Sequence, residues 1–326
     1  MKKAFVTGST GFIGSHLVEA LLNKQYKIKC LVRKSTNLKW IKDLPVEIVY
    51  GDLFNKDVLT QATKDVDYIF HIAGVTASHT KSGYYLGNVE ATKNLLDAAS
   101  QNPNLKRFIY AGSLTAVGPA SSKVPPNEES PCNPITTYGK SKLEAEKEIL
   151  KFKDKIPVTI LKLPAVYGPR DTATLDFFKA VSRGIIPLVG YKSKYISILY
   201  VTDVVNALII ASENERAVGE IFLIGSEKFY TWEEIGATIE RCAKHRTIKI
   251  RFPEFAVVIA AAINNLLDVF RKKPSVFNIE KSKDMIADAW IADITKARNH
   301  LNFRQTVDLE EGIRKTFDWY KKEGWI

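Results

Sequence analysis

Along the first half of the chain, short runs of apolar and β-branched residues alternate with longer stretches whose apolar positions recur at helical spacing. This predicts strands over residues 4–7, 27–32, 47–50, 68–71, 108–111 and 158–163, and helices over 12–22, 57–63, 84–99 and 138–152. The strand runs are almost continuously apolar, as expected for strands covered on both faces. Strand–helix alternation of that kind predicts an α/β fold with a doubly wound parallel sheet. Such sheets take their ligands at the carboxyl ends of the strands. After Pro164 the rhythm changes: helical patterns dominate, with short strands expected at 196–200 and 221–224. Residues 1–164 are therefore expected to form the sheet domain. Residues 165–326 should form a smaller, mostly helical portion, with some segments returning to the sheet. The loop over 119–134 is long and polar, a length usually tied to function or mobility.

Composition narrows the class. The chain has 326 residues, 45% hydrophobic and 25% charged, with a formal net charge of +11. That balance suits a soluble globular chain and excludes collagen-like, disordered and disulfide-scaffold classes. The lysines are scattered, and no basic stripe is interleaved with aromatics, so no nucleic-acid partner is expected. A basic field favours phosphorylated small molecules. Cys30, Cys132 and Cys242 form neither a disulfide framework nor a zinc-ligand pattern. With no signal-like apolar run at the start, a reducing, cytoplasmic setting is expected. The longest apolar segment, 255–270, falls short of the ~20 residues needed to span a bilayer. Arg271-Lys272-Lys273 follows it. The segment is expected to be a substrate-domain helix with cations at its C-terminal end, in preference to a membrane-surface helix.

The chemistry starts at Gly8-Ser9-Thr10-Gly11-Phe12-Ile13-Gly14, between the first strand and the first helix. Gly8 permits a tight turn, Gly11 a close approach of backbone to a pyrophosphate, and Gly14 close helix–sheet packing. The helix N-terminus then offers free N–H groups to the phosphates. The second strand ends Val32-Arg33-Lys34 with no acid to accept from a ribose 2′-hydroxyl. A guanidinium there suits a 2′-phosphate, so NADP(H) is expected over NAD(H). Asp52 and Leu53 after the third strand, and Ile72-Ala73-Gly74 after the fourth, complete the expected cofactor cleft. His71 has no ligand-spaced Cys, His or carboxylate nearby, and is expected to be a packed side chain with no metal.

Ser113 ends the fifth strand, and Tyr138 and Lys142 share one helical face a turn apart. Hydride transfer at a carbonyl needs a proton donor or acceptor at the oxygen. Tyr138 is expected to fill that role, with its pKa lowered by the Lys142 ammonium and with Ser113 polarising the oxygen. Lys142 would also hold the nicotinamide ribose.

With these pieces in place, the chain resembles the extended short-chain dehydrogenase/reductases. The likeness rests on Thr7-Gly8-x-x-Gly11-Phe12-Ile13-Gly14, Gly51-Asp52-Leu53, His71-Ile72-Ala73, Asn88-Val89-x-x-Thr92, Ser113, Tyr138-Gly139-Lys140-Ser141-Lys142, Val166-Tyr167-Gly168-Pro169 and Tyr200-Val201-x-Asp203. It implies a Rossmann-fold domain and a catalytic set of Ser113, Tyr138, Lys142 and Asn88. Pro164 and Val166 would join the cofactor contacts, and Val75, Thr115 and Tyr167 would join Ser113 and Tyr138 around a small-molecule substrate. It further implies a homodimer through the Asn88 and Tyr138 helices. Leu114 and Thr115 stand where sugar-nucleotide dehydratases carry an acid pair, Ile196 where epimerases place an arginine, Ala165 where an asparagine is usual, and Gly112 where serine is commoner. The likeness therefore favours the dihydroflavonol-reductase and 3β-hydroxysteroid-dehydrogenase branch and a fairly apolar substrate. The alternatives are an NAD-dependent sugar-nucleotide epimerase and a non-catalytic dinucleotide-binding regulator.

Overall fold

The computed structural model describes residues 1–326 except 121–123, 269–270, 272–274 and 276. In the first half, β1 (Lys3–Thr7), α1 (Phe12–Asn23), β2 (Lys27–Val32), β3 (Glu47–Tyr50), α2 (Lys56–Thr63), β4 (Tyr68–His71), α3 (Lys81–Tyr85), a π-turn (Leu86–Glu90), α4 (Ala91–Ala99), β5 (Arg107–Ser113), α5 (Thr137–Leu150) and β6 (Val158–Leu163) follow one another. The second half contains β7 (Ala165–Tyr167), α6 (Leu175–Ser182), β8 (Ile185–Val189), β9 (Tyr195–Ile196), β10 (Ile198–Tyr200), α7 (Val201–Glu213) and β11 (Ile221–Leu223). It continues through β12 (Tyr230–Thr231), α8 (Trp232–Ala243), β13 (Ile248–Phe252), α9 (Glu254–Asp268), α10 (Ile279–Ile286), β14 (Ala289–Trp290), α11 (Thr295–His300) and α12 (Leu309–Lys322).

Seven strands form one sheet in the order β11-β6-β5-β4-β1-β2-β3, every neighbouring pair parallel. Residues of β4 and β6 are buried throughout, as expected for strands sandwiched between helices. The direction of winding reverses between β1 and β4, which opens a crevice at their carboxyl ends. β11 comes from the second half and pairs with β6 at the sheet edge. One core cluster runs from Ala4 and Val6 through Val201 and Leu208 to Phe303, Phe317 and Tyr320, so the C-terminal segments pack directly onto the sheet. The remaining described strands form three smaller sheets, β10–β7, β12–β9–β14 and β13–β8.

Helix starts follow local capping chemistry. Asn55, Thr136 and Asp308 accept backbone N–H groups at the starts of α2, α5 and α12. Thr231 and Glu234 form a reciprocal capping box on α8. The expected single helix over 84–99 is instead divided: the π-turn carrying Asn88 separates α3 from α4.

Helix α9 departs from expectation. Its inward stripe is Val257, Ala261, half-buried Asn264 and Asp268, whereas Phe255 (68% exposed), Ile259 (54%), Ile263 (55%) and Leu266 (72%) face outward. A helix covered by its own domain turns its apolar face inward; this one does the reverse. Val269, Phe270, Lys272 and Lys273, at the basic end of that segment, lie outside the described residues.

Candidate active site

The crevice floor is built from glycine. Gly8 has φ +72°, and a Cβ there would meet Ala73 N at 2.7 Å. A Cβ at Gly14 would stand 2.0 Å from Gly8 O. Only glycine lets β1, the following loop and the end of β4 approach this closely. Helix α1 then opens at Gly11 with no side-chain cap and no acid in its first turn. Its leading N–H groups are unclaimed by carboxylates, and Gly11 is exposed with Thr10, Phe12 and Ile13 partly exposed beside it. That donor set fits a pyrophosphate.

Arg33 and Lys34 are exposed just past β2, and among the described residues neither has an ion-pair partner. Asp52 Oδ1 accepts Phe54 N at 2.8 Å and Asn55 N at 3.1 Å, so this carboxylate also shapes its own loop. Asn94 secures the loop by donating to Leu53 O at 3.0 Å.

His71 is a packed histidine, as expected. Its Nδ1 is 2.7 Å from Thr7 Oγ1 and its Nε2 2.9 Å from Thr92 Oγ1. The Thr92 hydroxyl donates to Asn88 O at 2.6 Å, which leaves its lone pairs to accept from Nε2–H and makes Nδ1 the acceptor from Thr7. Burial, with the Lys142 charge nearby, pushes the imidazole down to about 3. No grouping of metal-ligating side chains occurs among the described residues.

Asn88 sits in the π-turn, a local widening that recurs at functional sites. Its Oδ1 accepts Val75 N at 2.7 Å, and its Nδ2 donates to Val75 O at 3.0 Å and Ser141 Oγ at 2.9 Å. It thereby ties Ile72-Ala73-Gly74-Val75 to α5, the helix that carries Tyr138 and Lys142.

Ser113 and Tyr138 converge. Ser113 Oγ accepts both Thr115 N (3.2 Å) and the Thr115 hydroxyl (2.8 Å). With both lone pairs engaged, the Ser113 proton is left to donate, and Ser113 stands close enough to the Tyr138 phenol to lower its pKa. Lys142 Nζ donates to Ala111 O at 2.7 Å and lies 4.1 Å from the Tyr110 ring centroid. The expectation that Lys142 lowers the tyrosine is not met. Burial is the largest influence on Tyr138 and pushes the phenol up to about 12, against the lowering effect of Ser113. Burial also pulls Lys142 down, against the Glu146 charge.

Sequence reasoning missed several neighbours. Glu146, one turn beyond Lys142, pairs with Lys162 of β6 at 2.9 Å, both buried. A Cβ at Gly112 would lie 2.8 Å from Glu146 Oε1, so the glycine that replaces the commoner serine makes room for this carboxylate. From the far end of the chain, α10 brings Glu280 onto the N–H of Thr137 and places half-buried Asp284 where its charge acts on Tyr138. A reach of more than a hundred residues leaves no spacing signal. Tyr167 is a correction: it is buried against Tyr200 and α12, where a Cβ at Gly312 would stand 2.1 Å from its hydroxyl. It belongs to the core and does not line the cleft. Pro164 is buried and Val166 half-buried at the end of β6 and in β7.

A doubly wound sheet with a glycine-lined crevice, a strand-end serine and a Tyr–Lys helix defines a dinucleotide-dependent oxidoreductase of the extended short-chain type. The chain belongs to the NAD dependent epimerase/dehydratase family, whose pattern it matches over residues 4–225. It is 29% identical over 325 residues to the ceramide reductase of Caulobacter vibrioides, with 98% of this chain and 95% of the relative covered. Among solved structures, gox2253 superposes with a TM-score of 0.83 at 24% identity over 100% of both chains. The UDP-glucose 4-epimerase of Thermotoga maritima with UDP-glucose superposes with a TM-score of 0.81 at 22% identity, over 98% of this chain and 99% of that one. At these identities the structures establish the shared Rossmann fold.

Proposed function

We propose that the protein is an NADP(H)-dependent reductase acting on the carbonyl of a fairly apolar small molecule, with the reverse alcohol oxidation available to the same site. The observation that carries this reading is the approach of Ser113 to Tyr138 on α5, whose Lys142 Nζ lies 3.8 Å from where a Cβ at Gly74 would stand. Thr10, Gly11, Phe12, Ile13 and Gly14 would hold the pyrophosphate, Arg33 and Lys34 the 2′-phosphate, and Tyr138 and Lys142 the nicotinamide ribose. The bound nicotinamide supplies the hydride.

The chain's own residues manage the oxygen. Ser113, its lone pairs engaged by Thr115, donates a hydrogen bond to the substrate carbonyl oxygen and stabilises the charge that grows there. A phenol near 12 stays protonated at neutral pH, so Tyr138 is a loaded proton donor, and an alkoxide is basic enough to take its proton. Lys142, a turn further along α5 and anchored on Ala111 O, would hold the nicotinamide ribose. Asn88 is a positioning residue that fixes Val75 and α5 relative to each other.

The features that a sugar-nucleotide epimerase or dehydratase would need are replaced. Ile196 is 6% exposed and apolar, Leu114 is buried, and Thr115 is engaged on Ser113. The ceramide reductase relative also supports an apolar substrate. A cytoplasmic homodimer joined at α4 and α5 belongs to the same reading, supported by exposed Tyr85 and Leu86 beside those helices. The test is a panel of long-chain ketones, aldehydes and UDP-sugars incubated with NADPH or NADH. Oxidation of NADPH by the ketones supports the proposal; inversion of a UDP-sugar without net cofactor oxidation refutes it.

A further inference from the structure

The outward face of α9 extends along the chain into the strand before it. In β13, Ile248 (72% exposed), Ile250 and Phe252 are exposed at alternate positions, which places them on one side of the strand. Pro253 and Glu254 then lead directly to Phe255, Ile259, Ile263 and Leu266 on the helix. Scattered single apolar residues are normal on a protein surface; a run from consecutive elements marks an interaction face. The inward stripe of α9 is small or polar, held by Asn264 Nδ2 on Ser275 Oγ at 3.0 Å and by Asp268, 3.2 Å from His79 Nδ1. The helix is thus secured to the protein by its polar side while its apolar side is presented outward.

Charge selects the occupant. Between residues 244 and 283 the sequence has nine lysines and arginines against three carboxylates. Lys244 and Arg246 are exposed before the helix and Arg271 after it. A second copy docking by two-fold symmetry would set this patch against itself and bring like charges together. An anionic bilayer complements both parts at once: acyl chains accept the apolar side chains and phosphate headgroups the cations. At 15 residues, α9 is about 22 Å long, and no described helix is long and apolar enough to cross a membrane. The helix therefore suits a position in the interface plane.

We propose that the exposed face of β13 and α9 is a docking surface for an anionic lipid bilayer. The consequence for the site follows from α10. It packs on α9 and places Glu280 on the N–H of Thr137, the residue before Tyr138. A bilayer on α9 lies one helix away from the catalytic tyrosine. The docking surface stands without the redox reading; only the benefit of delivering a membrane-resident substrate rests on it.

The full-length protein is mixed with vesicles of phosphatidylcholine alone or with about a third phosphatidylglycerol, and sedimented. The expected result is co-sedimentation with the phosphatidylglycerol vesicles, weakened by added salt. The triple variant Ile259→Asp, Ile263→Asp, Leu266→Asp should lower that partition by roughly tenfold or more with an unchanged melting midpoint. A second variant, Ile263→Trp, adds a reporter at an exposed position. Its emission should shift to the blue on anionic vesicles and be quenched by brominated lipid. Three results would overturn the proposal: no binding of the wild type, binding equal in the triple variant, or no change in the emission of the Ile263→Trp variant. A concentration-dependent dimer abolished by the triple variant, without vesicle binding, would assign the face to a second copy instead.

Discussion

The hydroxyl of Thr115 donates to Ser113 Oγ at 2.8 Å, and that contact decides which way the serine proton points. Removing the serine should be the more severe change. Ser113→Ala deletes a donor to the reacting oxygen and should lower kcat by roughly 10²–10³. Thr115→Val leaves the donor but frees it to rotate, and should lower kcat less, with little change in KM. Steady-state kinetics on a ketone substrate measure both; equal losses would show that Thr115 does more than orient Ser113.

On the proposed reading, Arg33 and Lys34 hold the 2′-phosphate of NADP(H). Arg33→Asp replaces the guanidinium with a charge that repels a 2′-phosphate. It should weaken NADPH binding by about tenfold or more, as expected for a charged hydrogen bond worth about 1.5–3 kcal/mol, while NADH affinity is kept or improved. Fluorescence titration with each dinucleotide gives the ratio. Tighter NADH binding by the wild type would refute the assignment.

His71 links stability to acid. Its folded pKa, about 3, lies below the ordinary 6.5. Between those values the unfolded chain binds a proton that the folded chain refuses. The His71 contribution is complete above pH ~6.5 and is lost progressively down to about 3, at up to about 1.4 kcal/mol per pH unit. Denaturant unfolding across this window should show the slope, and His71→Gln should remove that part of it. An unchanged slope in the variant would place the acid sensitivity elsewhere.

The buried pair Glu146–Lys162 should behave asymmetrically. Lys162→Met strands a buried carboxylate and should destabilise the fold by about 3–5 kcal/mol. Adding Glu146→Gln to that variant should restore much of the loss. Thermal melts of the two variants decide it; additive losses would mean that the two side chains do not act as a pair.

The strands and the glycine loop were legible because their signals are local. Continuous apolar runs mark doubly covered strands, and Gly8, Gly11 and Gly14 sit where a strand meets a helix. The Tyr138–Lys142 face was legible for the same reason, since spacing of four is all it needs. The π-turn at Asn88 was not, because one extra residue in a helical turn barely disturbs apolar periodicity. Glu280 and Asp284 were hidden by distance along the chain, and the Tyr138 pKa by burial that only the assembled fold creates. Tyr167 misled because a motif position says nothing about the later helix, with Gly312, that packs on it. The outward face of α9 was hidden because a nearly all-apolar segment has no preferred side until its few polar residues, Asn264 and Asp268, find partners.

The central claim is that Tyr138 and Ser113 serve a carbonyl oxygen beside a hydride donor. Incubating the protein with NADPH deuterated at the transferable position and a long-chain ketone tests it most directly. Deuterium should appear on the carbinol carbon of the product with the wild type, and Tyr138→Phe should abolish that transfer while still binding NADPH. Undiminished label transfer by Tyr138→Phe, or inversion of a UDP-sugar with the label retained on the cofactor, would contradict it.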